Sequence, residues 1–101
     1  MEEIFEATLQ INNESVELNP FIENFLARTV IGAVSSLKGT EDVQNLECRL
    51  AQGDLELIVD GSEIPLTTFP RDIITNTIVG LVSSLKGVDK IDSLEINIKV
   101  Q

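Results

Sequence analysis

The hexapeptide VSSLKG occurs twice, at 34–39 and again at 82–87, and the spacing of the two copies constrains the fold more than any other feature of the chain. Sliding the sequence against itself by 48 positions superimposes Leu9 on Leu57, Leu18 on Leu66, Phe21 on Phe69, Thr29 on Thr77, Gly32 on Gly80 and Leu46-Glu47 on Leu94-Glu95. The chain reads as an internal duplication of one unit, with repeats at about 4–52 and 53–101. Solenoids need three or more stacked copies to bury a continuous core. Two copies imply one compact domain with a pseudo-twofold axis, and 101 residues suit a single domain that folds without staples.

Each unit reads strand, strand, helix, strand. Phe5, Ala7, Leu9 and Ile11 alternate with Glu6, Thr8 and Gln10, the period of a strand with one buried face. Asn12-Asn13 supplies a turn, and Val16 and Leu18 flank Glu17 in a short return strand. The second unit repeats this with Leu55, Leu57 and Val59, a turn at Asp60-Gly61-Ser62, and Ile64 and Leu66 returning. Asn19 suits a helix N-cap with Pro20 at the first helical position, where its missing N–H costs nothing. The second helix is expected to start with Thr68 as cap, or up to two residues later because of Pro70.

Both helices are expected to run to Lys38-Gly39 and Lys86-Gly87. Glycine just past a helix takes the left-handed conformation that stops it, and lysine in the last turn faces the negative end of the dipole. VSSLKG is thus expected to pack and end a helix. Closing strands follow, with Leu46, Cys48 and Leu50 in one and Leu94, Ile96, Ile98 and Val100 in the other, and Gln52-Gly53-Asp54 turns the first unit into the second.

The expected class is α+β, a two-layer sandwich in which one mostly antiparallel sheet carries both helices on one face. If each closing strand lies parallel to the first strand of its own unit, through a right-handed crossover, one continuous six-strand sheet results and the two closing strands meet antiparallel at its centre. A ferredoxin-like variant, in which the return strands are hairpin extensions, fits the same pattern.

On the helices, Ile22, Leu26, Val30, Ala33 and Leu37 form one stripe, matched by Ile74, Ile78, Leu81 and Leu85, and these cover the sheet. A second stripe holds Phe21, Phe25 and Gly32, matched by Phe69, Ile73 and Gly80. Covering a sheet does not require it. A mid-helix glycine costs about 1 kcal/mol relative to alanine, so two at matching positions imply a packing use. Either Gly32 and Gly80 face each other across the pseudo-twofold, flanked by the four large side chains, or this surface meets a second chain.

Composition narrows the chemistry. Seven basic against seventeen acidic residues give a net charge of −10, a field that repels phosphate backbones and anionic lipid. With no exposed aromatic ladder expected on the sheet, neither nucleic acid nor a membrane is an expected partner. There is no histidine, and the single cysteine, Cys48, falls on the inner face of a strand. Transition-metal sites, thiol catalysis and serine triads therefore lack their parts, and no phosphate-binding glycine loop occurs. Ser35, Ser36, Ser83 and Ser84 sit in last helical turns, where serine bonds back to carbonyls.

Glu6, Glu47, Glu56 and Glu95 point to the uncovered sheet face, where Arg49 and Lys99 interleave with them as cross-strand ion pairs. The opening MEEIFEATLQ has neither a basic nor an apolar leader region, so a cytoplasmic protein is expected. The expected function is a non-catalytic protein-interaction or structural module. It would need no cofactor or metal and would work as a monomer or homodimer through a protein partner or self-association. The alternative is a small-ligand or cation-binding protein with a cleft at the pseudo-twofold axis.

Overall fold

A computed structural model describes residues 4–37, 42–85 and 90–100. The elements run β1 (Phe5–Ile11), β2 (Glu14–Val16), α1 (Pro20–Val34), β3 (Asn45–Ala51), β4 (Asp54–Val59), β5 (Ser62–Ile64), α2 (Thr68–Ser83) and β6 (Ser93–Val100). The strands form one antiparallel sheet in the order β2-β1-β6-β3-β4-β5. The closing strands β3 and β6 meet at its centre, and the short return strands β2 and β5 are its edges.

The central register carries the symmetry of the sequence. Cys48 pairs with Ile96, its own counterpart in the other unit, and Leu46↔Ile98 is matched by Leu50↔Leu94. Likewise Leu9↔Val16 is matched by Leu57↔Ile64. A twofold axis normal to the sheet therefore passes between Cys48 and Ile96.

The directions and the central antiparallel meeting of the closing strands are those expected, and the strand order adds one feature. Each closing strand runs in the same direction as the first strand of its own unit, but the other unit's closing strand lies between them: β6 separates β1 from β3, and β3 separates β6 from β4. The cause is the connection at Gln52-Gly53. These two residues have φ of 53° and 80°, the pattern of the primed two-residue turn, which can join only neighbouring antiparallel strands. That turn makes β3 and β4 a hairpin and interleaves the two units.

The hairpin turns at the edges also hold the centre. Asn12 has φ 52° and Asp60 has φ 49°, at matched positions of the β1–β2 and β4–β5 turns. Asn12 Oδ1 accepts from the backbone N–H groups of Asp92 (2.8 Å) and Ser93 (3.0 Å), while its Nδ2 donates to the Lys90 carbonyl (2.8 Å). Asp60 Oδ1 accepts from Gln44 N–H (3.0 Å) and Asn45 N–H (2.7 Å). Backbone bonds from Asn12 N–H to Ser93 O and from Asp60 N–H to Asn45 O complete each clamp. Each edge turn thus fixes the entry of a central strand.

Alternation puts Ala7, Leu9, Ile11, Leu46, Cys48, Leu50, Leu55, Leu57, Val59, Leu94, Ile96 and Ile98 on one buried face. The helices cover it with Leu26, Ala27, Val30 and Val34 from α1 and Ile74, Ile78 and Val82 from α2. The covering stripe is rotated from the expected one: Ala27, Val34 and Val82 are fully buried, whereas Ile22, Ala33, Leu37, Leu81 and Leu85 lie at its margin. Thr75, matched to Ala27, leaves its Oγ1 buried without a hydrogen-bond partner among the described residues.

The helix starts follow local chemistry. Asn19 caps α1, its Oδ1 accepting from Ile22 N–H at 2.8 Å. In α2 the cap moves to Thr67, whose side chain makes no capping bond, and Pro70 is tolerated in the first turn. The helix stops come about a turn earlier than expected. After Val34, Leu37 N–H reaches back to Val34 O (2.9 Å), and after Ser83, Leu85 N–H bonds Val82 O (3.1 Å), the tighter i to i−3 pattern. Ser36 Oγ donates to Ala33 O and Ser84 Oγ to Gly80 O, occupying carbonyls that would have continued the ladder. Lys38, Gly39, Lys86 and Gly87, the expected stop, lie outside the described residues.

Candidate functional site

Two surfaces remain once the core is closed. The first is the open face of the sheet, where Arg49 stands beside the twofold axis. Register places Glu95 opposite it on β6 and Glu56 opposite it on β4. Its guanidinium reaches Glu47 at 2.9 Å, Glu95 at 3.2 Å and Glu56 at 3.5 Å. Glu47 and Glu95 are twofold mates, and the mate of Arg49 is Asn97, whose Nδ2 lies 3.5 Å from Glu95 Oε2. One arginine therefore bridges three carboxylates, two of which the symmetry brings together.

Arg49→Ala should leave Glu47, Glu56 and Glu95 facing one another. A loss of about 1 kcal/mol in chemical denaturation is expected at low ionic strength, shrinking by more than half in 1 M salt, because these side chains are partly exposed and screened. A loss that does not respond to salt would mean that packing of the arginine stem dominates.

On the helix side the twofold axis is filled by Cys48 and Ile96, both wholly buried. On the open side it is flanked by two shallow depressions of about 260 and 170 Å³, one containing Glu6, Glu47, Asn97 and Lys99 and the other Arg49, Ser93 and Glu95. Among the described residues, no group of three or more His, Cys, Asp or Glu side chains is placed to hold a metal ion. Burial pushes the Cys48 thiol up to about 12.

The second surface is the outward face of the helices. Phe21 is 70% exposed, Phe25 48%, Phe69 73% and Ile73 51%. These four stand in matched pairs, Phe21 with Phe69 and Phe25 with Ile73. The Phe21 and Phe25 rings are in contact, with centroids 5.9 Å apart. Next to them Arg28 lies over the Phe5 ring at 5.0 Å and is held by Asn24 Oδ1 at 3.0 Å. Together Phe21, Asn24, Phe25, Arg28 and Thr29 line an open depression of about 340 Å³.

Gly32 and Gly80 lie on this same outward face, and a Cβ at either would meet nothing within 4 Å among the described residues. The internal contact expected between them is therefore not made. The helices bury Ala27, Val30, Ile74 and Ile78 instead, since the covering stripe turned the glycines to solvent. The structure gathers Phe21, Phe25, Gly32, Phe69, Ile73 and Gly80 on one layer, but as surface. Sequence reading missed Asn12 and Asp60 as clamps because their partners are 78 to 81 and 15 to 16 residues away in the chain.

Comparison of the chain with protein-family models, curated proteins and solved structures yields no match. Among the described residues, no helix is long and apolar enough to cross a membrane.

Proposed function

We propose that this chain is a small, cytoplasmic, non-catalytic protein-interaction module whose working surface is the outward face of α1 and α2. The observation that carries this reading is the exposure of Phe21, Phe25, Phe69 and Ile73 at matched positions. Large apolar side chains grouped on one face mark contact surfaces, and aromatic residues are enriched where proteins meet. The helix itself points the same way. Apart from Glu23, Asn24, Arg28 and Thr29, every residue of α1 is apolar or glycine, the composition of a helix covered on more than one side.

We further infer that the two halves arose by duplication of one unit. The matched registers, clamps and exposed side chains support this. The ligand-binding alternative finds its acids at the axis already engaged by Arg49.

The test is site-specific photo-crosslinking in the host cell. A photoreactive side chain at Phe69 should capture a protein, whether another copy or a different chain, while the same group at Thr8 on the open sheet face should not. Equal capture from both faces, or none from Phe69, would overturn the reading.

A further inference from the structure

Resting on that reading, we infer that the occupant of the helical face is a second copy of this chain, docked helix layer to helix layer, with the phenylalanines of one protomer seated over the bare glycines of the other. Three observations converge on it: the charge of the layer, its symmetry, and the placement of its knobs and holes.

Charge selects the face. The whole chain carries −10, yet α1 holds only Glu23 and Arg28 and α2 only Arg71 and Asp72 as charged residues. The helical layer is neutral and the excess acid lies elsewhere. Two identical acidic molecules repel through any face that carries the excess, and least through this one. A foreign partner for a strongly acidic protein would be expected to engage the acidic surface, whereas a like-charged copy is steered away from it.

Symmetry makes the face self-complementary. A closed dimer uses the same patch on both subunits, so each knob must find its hole within that patch. The twofold normal to the sheet makes α1 and α2 antiparallel. Phe21 sits near the start of α1 and Gly32 near its end, about 16 Å apart at 1.5 Å per residue. Phe69 and Gly80 repeat this on α2. When a second layer is turned over onto the first about an axis in the plane, helix starts fall over helix ends. Phe21 of one copy then falls over Gly32 of the other where that axis crosses the helices at right angles, and over Gly80 where it runs along them, so we place the dimer axis in one of these two directions.

Bare glycine surface lets a neighbouring helix or ring approach the backbone closely, a use the fold itself does not make of these residues. The molecule is a slab of 36 × 34 × 19 Å, so its broad faces are large enough for the roughly 800 Å² per partner of a standard interface.

The test pairs sedimentation velocity over a concentration series with the double substitution Gly32→Ala/Gly80→Ala. Alanine raises helix propensity and adds apolar area, so the fold should melt at a higher temperature in dilute solution. A nonspecific apolar contact would tighten. The knob-and-hole contact should weaken at least about tenfold, because each added methyl lifts a ring off the backbone. Phe21→Ser/Phe69→Ser should leave only monomer, with an unchanged far-ultraviolet circular dichroism spectrum.

A wild-type monomer at all concentrations would overturn the inference, as would a dimer that the alanine pair leaves unchanged or strengthens. If the wild type stays monomeric while the Phe69 crosslinker captures a different protein, this inference fails and the interaction-module reading stands.

Discussion

Asp60→Ala should lower the unfolding free energy by about 3 kcal/mol. It removes two charge-assisted hydrogen bonds to the backbone at the entry of β3 and leaves a non-glycine, non-Asx residue at positive φ. Asn12→Ala should cost a similar amount at the entry of β6, where three side-chain bonds are lost. The two clamps serve antiparallel strands from opposite ends and share no partner, so their effects should add.

A combined loss of about 6 kcal/mol is comparable with the whole stability of a domain of this size, roughly 5–15 kcal/mol, and the double variant should be largely unfolded at 37 °C. Asp60→Asn is the control. The first unit uses asparagine at the matched position and asparagine tolerates the left-handed region, so that variant should lose less than about 1 kcal/mol. Urea denaturation checks all four. Equal losses for Asp60→Ala and Asp60→Asn would show that the carboxylate, and not the acceptor geometry, holds the clamp.

The second large effect is alkaline. Cys48 lies at the centre of the sheet, wholly buried, and burial pushes its thiol from 9.0 up to about 12. A group whose folded value is raised contributes stability that is fully present below the unfolded value and lost as pH rises toward the folded one. Stability should therefore hold to about pH 9 and fall between 9 and 12 at up to about 1.4 kcal/mol per unit. The four lysines are common to the wild type and to an alanine variant at Cys48, so the difference between those two chains isolates the thiol.

Cys48→Ala should be less stable than the wild type at pH 8, because a cavity opens beside Ile96, and its stability should be nearly flat where the wild type declines. Thiol-labelling rates should follow global unfolding. A wild type with the alanine variant's slope would mean that the thiol ionises without leaving the core.

How much of this was legible from the sequence depends on the reach of each interaction. The alternation in Phe5–Ile11 and Ser93–Val100, the N-cap at Asn19 and the inward Cys48 all rest on neighbours within a few residues, and they stand as read. The pairing of Arg49 with the outward glutamates follows from alternation too, although its choice of Glu47, Glu56 and Glu95 needed the strand order. The helices end about a turn before the lysine and glycine that predict their stop. Glycine and lysine in VSSLKG signal a stop, but serine hydroxyls a turn earlier already compete for the carbonyls.

The glycine stripe shows the limit most clearly. Periodicity separated Phe21, Phe25 and Gly32 from the covering stripe, yet it could not say whether they faced the other helix or solvent, since one helix presents the same pattern in both cases. A rotation that buries Ala27 and Val34 turns Gly32 outward, and that rotation is decided by how two helices share one sheet.

By itself, the sequence determined the elements, their order along the chain and which face of each strand is apolar, because backbone preference and the periods of helix and strand are local properties. Only the tertiary structure decided the interleaving of the units, the clamps of Asn12 and Asp60, and the exposure of the matched phenylalanines. Those depend on which strands become neighbours: the two-residue turn at Gln52-Gly53 sets β3 against β4, but β6 meets β1 and β3 across long stretches of chain, where local preference has no say.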